Sequence, residues 1–127
     1  MAAKAKILVV DDEPDTVLLA SRILELEGFS TVKAYDGVEA LQKIYSEKPK
    51  IVLLDIKLPK KDGYAVCKEI KSSEKFRDTV IIMFTAKIFD SDREKGLQMG
   101  ADYYVTKPFS GRDLIALINK ILEEKFK

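Results

Sequence analysis

The chain has 127 residues, 46% of them hydrophobic, and its 22 basic and 21 acidic side chains leave a formal net charge of +1. That length suits one domain with a single core, and the balanced charge excludes a nucleic-acid-binding protein that works by bulk positive charge. The chain has no histidine, which excludes a Ser-His-Asp triad, a His-ligated zinc and a phosphohistidine donor.

The N-terminal part of the sequence predicts a strand, a helix and a second strand. Lys6–Val10 is an aliphatic run typical of a strand. A helix from about Pro14 to Glu27 follows, because proline suits the first turn of a helix and Gly28 suits the position after its end. Phe29–Ala34 alternates in polarity, which predicts a half-exposed edge strand.

In the middle of the chain, helices alternate with continuous apolar runs. Asp36-Gly-Val-Glu39 is a capping-box pattern that opens a second helix, and Pro49 ends it. Ile51–Leu54 is typical of a strand covered on both faces. A third helix is predicted from about Tyr64 to Ser72, and Val80–Phe84 is the next buried strand.

The C-terminal part predicts a helix, a strand and a last helix. The fourth helix spans about Asp90 to Met99 and is closed by Gly100, and Asp102–Val105 is the fifth strand. Ser110 and Asp113 cap the fifth helix. The inner face of that helix carries Leu114, Ile115, Leu117, Ile118, Ile121 and Leu122. Five strand–helix units predict an α/β fold of three layers, with a parallel five-stranded sheet between two layers of helices.

Conspicuous polar residues follow four of the five strands. Asp11 and Asp12 follow the first strand, Asp55 the third, Thr85 the fourth and Lys107 the fifth. Because ligands bind at the carboxyl ends of parallel strands, we expect three carboxylates, a hydroxyl and an ammonium to converge there. Two adjacent carboxylates in a partly desolvated site repel each other, so the pattern also predicts a missing positive charge.

This set of groups suits Mg²⁺ and phosphoryl transfer. Carboxylates without histidine form a hard-oxygen site, which Mg²⁺ prefers, often together with a phosphate oxygen. Lys107 can bind phosphate as a point charge, and Thr85 can donate a hydrogen bond to a phosphoryl oxygen. An aspartate can attack phosphorus to give an acyl phosphate. Asp55, the lone carboxylate after the most buried strand, is the candidate nucleophile, whereas Asp11 and Asp12 are paired as in a metal clamp.

Each of these residues, taken singly, also has an ordinary structural explanation. Asp11 and Asp12 could cap a helix, Asp55 could be a loop acid, and Thr85 and Lys107 could be a plain strand-end residue and a surface lysine. Their joint position at four strand ends favours the functional interpretation.

Four segments make the chain resemble the receiver domain of two-component response regulators: V-V-D-D-E-P, L-L-D-I-K-L-P-K-K-D-G, F-T-A and G-A-D-Y-Y-V-T-K-P-F. The resemblance covers essentially all of residues 1–127 and implies a flavodoxin-like (βα)5 fold with strand order 2-1-3-4-5. It implies that a sensor histidine kinase or a phosphotransfer protein of a phosphorelay phosphorylates Asp55. The domain is then a signalling switch that promotes its own phosphorylation and dephosphorylation, with Thr85 and Lys107 contacting the phosphoryl group.

The resemblance also implies the metal ligands. Mg²⁺ is held by Asp12, Asp55 and the backbone carbonyl of Lys57, and Asp11 acts through water. The peptide bond before Pro108 is implied to be cis.

Two further lysines occupy positions that tune hydrolysis of the acyl phosphate in the family. Lys57 lies two residues after the nucleophile, and Lys87 lies two residues after Thr85. Two ammonium groups near the phosphoryl oxygens would hinder the attacking water, so we predict slow self-dephosphorylation.

The resemblance finally implies a conformational switch. Thr85 is drawn toward the phosphoryl group, and the ring of Tyr104, three residues before Lys107, then rotates inward. The face that changes consists of the fourth helix, the fifth strand and the fifth helix. A downstream protein partner docks there, and the chain is a monomer or a phosphorylation-dependent dimer.

The sequence also argues against two other functions. A phosphatase with an aspartate nucleophile commonly carries a second aspartate two residues later, where this chain has Lys57. A flavin carrier of the same fold would need a hydroxyl- and glycine-rich loop after the first strand, and D-D-E-P would repel the flavin phosphate. The chain could also be a receiver excised from a longer regulator.

The sequence also bears on where the chain works. Cys67 is its one cysteine, most simply a packed residue, so an internal disulfide is excluded and a reducing cytoplasm is expected. Met1–Lys4 carries no apolar signal segment, and no stretch approaches the roughly 20 apolar residues of a membrane span. We therefore expect no membrane and no direct nucleic-acid contact.

Overall fold

The structure is a computed structural model that describes residues 4–85, 100–107 and 109–125, with Lys4 and Thr85 described by their backbone alone. The predicted fourth helix at 90–99, Lys87 and Pro108 lie outside the described residues.

Five parallel strands form one sheet in the order β2-β1-β3-β4-β5, which confirms the predicted order. The strands are β1 (Lys4–Val10), β2 (Phe29–Ala34), β3 (Ile51–Leu54), β4 (Val80–Thr85) and β5 (Tyr103–Thr106). β5 begins one residue later than predicted. The reason is that Asp102 accepts the backbone N–H of Ile81 with its side chain (2.8 Å), so the regular ladder starts at Tyr103.

The four helices of the described residues follow strands at the carboxyl edge of the sheet. They are α1 (Pro14–Leu26), α2 (Gly37–Glu47), α3 (Gly63–Lys71) and α4 (Gly111–Lys125), the last being the fifth helix predicted from the sequence. Gly28 has a φ of 93° just after α1, as its predicted role as a stop requires. Among the described residues, no helix has the length and apolar character needed to cross a bilayer.

The predicted caps of two helices are present. Asp36 accepts the backbone N–H of Glu39 (2.7 Å), and the Glu39 side chain accepts the N–H of Tyr35 (2.7 Å). Ser110 likewise accepts the N–H of Asp113 (3.3 Å). The sequence analysis did not predict a cap for the third helix. Asp62 supplies one by accepting the N–H of Ala65 (2.9 Å), and α3 begins one residue earlier than predicted.

The core consists of two layers, one on each face of the sheet. On one face α2 and α3 pack against the alternate strand residues that include Leu8, Val52 and Met83. On the other face α1 and α4 pack against Ile7, Leu53 and their neighbours. The face of α4 that the sequence predicted to point inward is buried or half-buried in this second layer. Packing of both layers holds the sheet in place, including its carboxyl edge, where the predicted polar residues lie.

The structure corrects a prediction about β2 and confirms one about Cys67. β2 is an edge strand, but its burial does not alternate: both ends are buried, and the four residues between them are half-buried because α1 and α2 flank the strand. Cys67 is fully buried, and burial raises the pKa of its thiol to about 12, so the residue is a packed side chain.

Candidate functional site

The backbones of Asp11 and Asp55 are fixed by the sheet itself. The N–H of Asp55 donates to the carbonyl of Val10 (3.0 Å), and the N–H of Asp11 donates to the carbonyl of Ala34 (3.2 Å). Each hydrogen bond extends the parallel ladder one residue beyond its strand. The two carboxylates therefore stand side by side at the carboxyl edge, as expected for a site on a parallel sheet.

Three carboxylates come together at this edge. Asp11, Asp12 and Asp55 each offer an oxygen, and these three oxygens lie within 4.8 Å of one another. Asp11 is fully buried and Asp55 is 6% exposed, whereas Asp12 is open to solvent. We call these three residues the acidic cluster. It combines two desolvated acids with one that solvent, and hence an incoming ion, can reach.

Lys107 places a positive charge against the acidic cluster. Its ammonium forms an ion pair with Oδ2 of Asp11 and lies 3.5 Å from Oδ2 of Asp55. The remaining oxygens accept backbone hydrogen bonds: Oδ1 of Asp55 from the N–H of Ile56 (2.8 Å), and Oδ1 of Asp11 from the N–H of Glu13 (3.0 Å). Lys107 is thus held by the carboxylates that the sequence predicted it would accompany.

The Phe84 ring forms part of the site, although the sequence analysis placed this residue only at the end of a buried strand. The ammonium of Lys107 lies 4.8 Å from the centre of this fully buried ring, within the range of a cation–π contact. The ring also packs on Phe109 at 5.2 Å between centres. The signal in the sequence was an aromatic residue directly before the last residue of β4, in register with Val105 of the neighbouring strand.

The charges in the site do not balance. Burial raises the pKa of Asp55 to about 6; the charge of Lys107 lowers it, and that of Asp11 raises it. Burial by itself lowers the pKa of Lys107, but its hydrogen bond to Asp11 and the charges of both acids outweigh this effect, so the pKa of Lys107 is raised. Three carboxylates thus face one ammonium in this part of the structure.

The donor set fits a magnesium ion. All the side-chain ligand atoms of the cluster are carboxylate oxygens, which are the ligands that Mg²⁺ takes, and the three carboxylates are accompanied by the single ammonium of Lys107 among the described residues. A divalent cation would supply that charge where Asp12 opens to solvent.

The structure places the other predicted residues as follows. Thr85 is the last residue of β4 and pairs with Thr106 of β5, so its backbone reaches the same edge. Tyr104 is half-buried against the layer of α2 and α3, whereas Tyr103 packs against the opposite layer. Lys57 is exposed just beyond Asp55.

The metal-free protein should lose stability as the Asp55 carboxyl ionises. The folded-state pKa of about 6 lies above the ordinary value of 3.8, so the native state binds this proton more tightly than the unfolded state does. Stability from this group is therefore present below about pH 4 and is lost as the pH rises through 6.

We expect the effect of Asp55→Asn on the free energy of unfolding of the metal-free protein to be about 2 kcal/mol more stabilising at pH 7.5 than at pH 4.5. Urea unfolding of both proteins in the presence of a chelator measures the difference. An Asn variant that changes stability equally at the two pH values would contradict the assigned burial of the charge.

Comparison with known proteins points to one family. The sequence model of the response regulator receiver domain matches residues 7–119. Among similar solved structures is a CheY-like receiver domain protein from Methanospirillum hungatei, with a TM-score of 0.89 and 32% identity over 95% of this chain and 95% of that chain. The chemotaxis protein CheY4 of Vibrio cholerae gives a TM-score of 0.89 and 28% identity over 94% of this chain and all of that chain. The BeF3-activated DrrB receiver domain gives a TM-score of 0.84 and 34% identity over 94% of this chain and 97% of that chain.

Proposed function

Because the chain belongs to the response regulator receiver domain family, we propose that it accepts a phosphoryl group on Asp55 in a Mg²⁺-dependent reaction. The donor is a sensor histidine kinase or a histidine phosphotransfer protein of a two-component phosphorelay. Residues 1–127 make up this one receiver domain.

One observation carries the choice of Asp55. Both oxygens of Asp11 have close partners, since Oδ1 accepts the N–H of Glu13 and Oδ2 is paired with Lys107. Oδ2 of Asp55 lies 3.5 Å from the same ammonium. This distance is longer than that between Lys107 and Asp11, so the contact with Asp55 is the weaker one. Of the two buried acids, Asp55 therefore has the oxygen better placed to attack phosphorus, and the neighbouring ammonium can neutralise charge on the incoming phosphoryl oxygens.

The Mg²⁺ ion is proposed to be held by Asp12, Asp55 and the backbone carbonyl of Lys57, with Asp11 acting through water. Bound there, it would neutralise negative charge on the phosphoryl group and on the cluster. The chain's own contribution is a preformed arrangement: the sheet fixes the backbones of Asp11 and Asp55, and Lys107 stays in place between their side chains.

The consequence of phosphorylation is proposed to be a switch rather than the turnover of a substrate. Thr85 moves toward the phosphoryl group, and Tyr104, half-buried in the structure, rotates inward. The surface of the helix predicted at 90–99, β5 and α4 then changes its affinity for a downstream protein or for a second copy of the chain. The proposed site of action is the cytoplasm.

Phosphorylation by a small-molecule donor tests this proposal. Wild-type protein incubated with acetyl phosphate and Mg²⁺ should gain one phosphoryl group per chain by intact mass, and Asp55→Asn should gain none. Chelation of Mg²⁺ should stop the wild-type reaction. Continuous release of phosphate from general phosphomonoesters would instead identify a phosphatase, and equal labelling of the Asn variant would exclude Asp55.

Removing a lysine beside the nucleophile should speed the loss of the phosphoryl group. Lys57→Asn or Lys87→Glu takes away an ammonium that would hinder the attacking water, so we expect the acyl phosphate to decay several-fold faster. The measurement is the phosphorylated fraction over time after the donor is removed. Lys120→Asn, at an exposed position of α4, is the matched control. Decay rates equal to the wild type in both lysine variants would show that neither lysine protects the acyl phosphate.

A further inference from the structure

The segment that follows Asp55 is tied to itself by backbone hydrogen bonds. The N–H of Gly63 donates to the carbonyl of Ile56 (2.8 Å), and the N–H of Lys61 donates to the carbonyl of Pro59 (2.7 Å). Lys60 between them has a φ of 69°, a strained conformation for a residue with a side chain. Residues 56–62, which include the proposed carbonyl ligand at Lys57, therefore form a compact turn with a defined conformation.

The first residue of α2 holds this turn from outside. The N–H of Gly37 donates to the carbonyl of Pro59 (3.3 Å). A Cβ atom on Gly37 would lie 1.8 Å from the carbonyl oxygen of Lys61, so the two backbones meet at a distance that any side chain prevents. The turn and the start of α2 are thus in direct backbone contact.

Three side chains add to this contact. Lys60 lies 3.5 Å from Asp36, the N-cap residue of α2. Lys61 forms an ion pair of 2.6 Å with Glu69 of α3. The other oxygen of Glu69 accepts a hydrogen bond from Tyr45 of α2 (2.6 Å), which raises the pKa of Tyr45 to about 12. The turn is consequently connected to both helices of this layer.

We propose that Gly37 and Glu69 are positioning residues for the metal site. They hold residues 59–61, and thereby the part of the turn that carries Lys57, in a fixed position relative to Asp55. Mg²⁺ demands near-ideal octahedral geometry, so a small displacement of one ligand lowers its affinity. This inference rests on the proposed function and assigns roles to two residues that touch neither the ion nor the phosphoryl group.

Variants of the two residues test the proposal through the affinity for Mg²⁺. Titration of the unphosphorylated protein, followed by the backbone amide resonances, gives the dissociation constant. Gly37→Ala should weaken Mg²⁺ binding roughly tenfold. This is the lower end of the loss of metal affinity that is seen when a residue supporting a metal ligand is replaced. Glu69→Gln should weaken it about threefold, as expected from the loss of a half-exposed ion pair.

The chain offers a matched control for Glu69. Lys6 and Glu47 form an ion pair of 3.0 Å in the same layer, with side chains 38% and 40% exposed, compared with 34% and 40% for Lys61 and Glu69. Lys6 lies in β1 and Glu47 at the C-terminal end of α2, away from the acidic cluster. Glu47→Gln should leave the affinity for Mg²⁺ unchanged.

A second readout needs no metal. Amide hydrogen exchange of the metal-free variants should be faster in residues 56–63 and unchanged in β1. If Gly37→Ala does not fold, Glu69→Gln carries the test. The positioning role would be overturned if Glu69→Gln bound Mg²⁺ with wild-type affinity. It would also be overturned if Glu69→Gln and Glu47→Gln lost the same amount of Mg²⁺ affinity. A wild-type protein without Mg²⁺-dependent shifts would instead overturn the metal site itself and this inference with it, so the two failures are distinguishable.

Discussion

Replacing Lys107 by Met should destabilise the metal-free protein by about 3 kcal/mol at pH 7.5. Among the described residues, Lys107 is the cation within ion-pair distance of both Asp11 and Asp55, and these acids are 0% and 6% exposed. Without it the two carboxylates are buried side by side and no other cation of the described part of the chain pairs with them, which is the costly arrangement for ionised groups in a desolvated site. Urea unfolding of wild type and variant measures the loss.

The pH dependence distinguishes this explanation from a loss of packing. Lys107 stays charged across the acidic and neutral range because its pKa is raised, whereas Asp55 takes up a proton as the pH falls through about 6. The cost of Lys107→Met should therefore shrink by pH 5, where Asp55 is neutral. Adding Asp55→Asn to the variant should restore part of the stability at pH 7.5.

The matched control is Lys6→Met, which removes the ammonium of a half-exposed ion pair with Glu47 and should cost less than about 1 kcal/mol. A Lys107→Met variant as stable as this control at neutral pH would contradict the electrostatic account of the site.

Replacing Gly63 by Ala should cost about 3 kcal/mol of stability or more. A Cβ atom at Gly63 would lie 2.2 Å from the carbonyl oxygen of Asp55 and 2.9 Å from the Cα of Ile56. Both are backbone atoms fixed by the sheet and by the turn, so the start of α3 must move away. The expected result is a lower unfolding midpoint together with reduced phosphoryl acceptance, because the displaced backbone is that of the proposed nucleophile.

Gly111 provides the control for helix propensity, since it also occupies the first position of a helix. A Cβ there would meet the Ile23 side chain at 3.4 Å, an ordinary contact. Gly111→Ala should therefore change stability by less than about 0.5 kcal/mol. If Gly63→Ala matched this small effect, the close approach of α3 to the end of β3 would not be needed for folding.

The fold was predictable where local signals and long-range packing agree. The aliphatic runs at Lys6–Val10 and Ile51–Leu54 and the cap at Asp36 each specify one element without ambiguity, and the structure has them. The strand ends were less certain because pairing through the backbone does not depend on side-chain type. β1 accordingly extends to Lys4 across an irregularity in its register, and β5 shifts when the side chain of Asp102 replaces a backbone acceptor.

The acidic cluster was predictable because a parallel sheet brings its carboxyl ends to one edge. That rule places Asp11 and Asp55 near Lys107 without any knowledge of side-chain conformation. It does not reveal which acid takes the ammonium. The sequence rule did not predict the direct ion pair between Asp11 and Lys107.

Contacts that depend on how the helices pack against the turn could not be predicted from the sequence. The approach of Gly37 to the carbonyl of Lys61, and the chain of contacts from Lys61 through Glu69 to Tyr45, depend on how α2 and α3 lie against the turn. No period or motif in the sequence encodes such distances. For the same reason the contact of Phe84 with Lys107 became visible only in the folded arrangement.

The central claim is that Asp55 receives phosphorus beside a divalent ion held by the acidic cluster. A crystal structure of the protein with Mg²⁺ and beryllofluoride, an analogue of a phosphoryl group, tests it most directly. The account predicts beryllium bonded to a carboxylate oxygen of Asp55, with Mg²⁺ in contact with Asp12 and Asp55. Beryllofluoride on another side chain, or a cluster that stays without metal at saturating Mg²⁺, would contradict it.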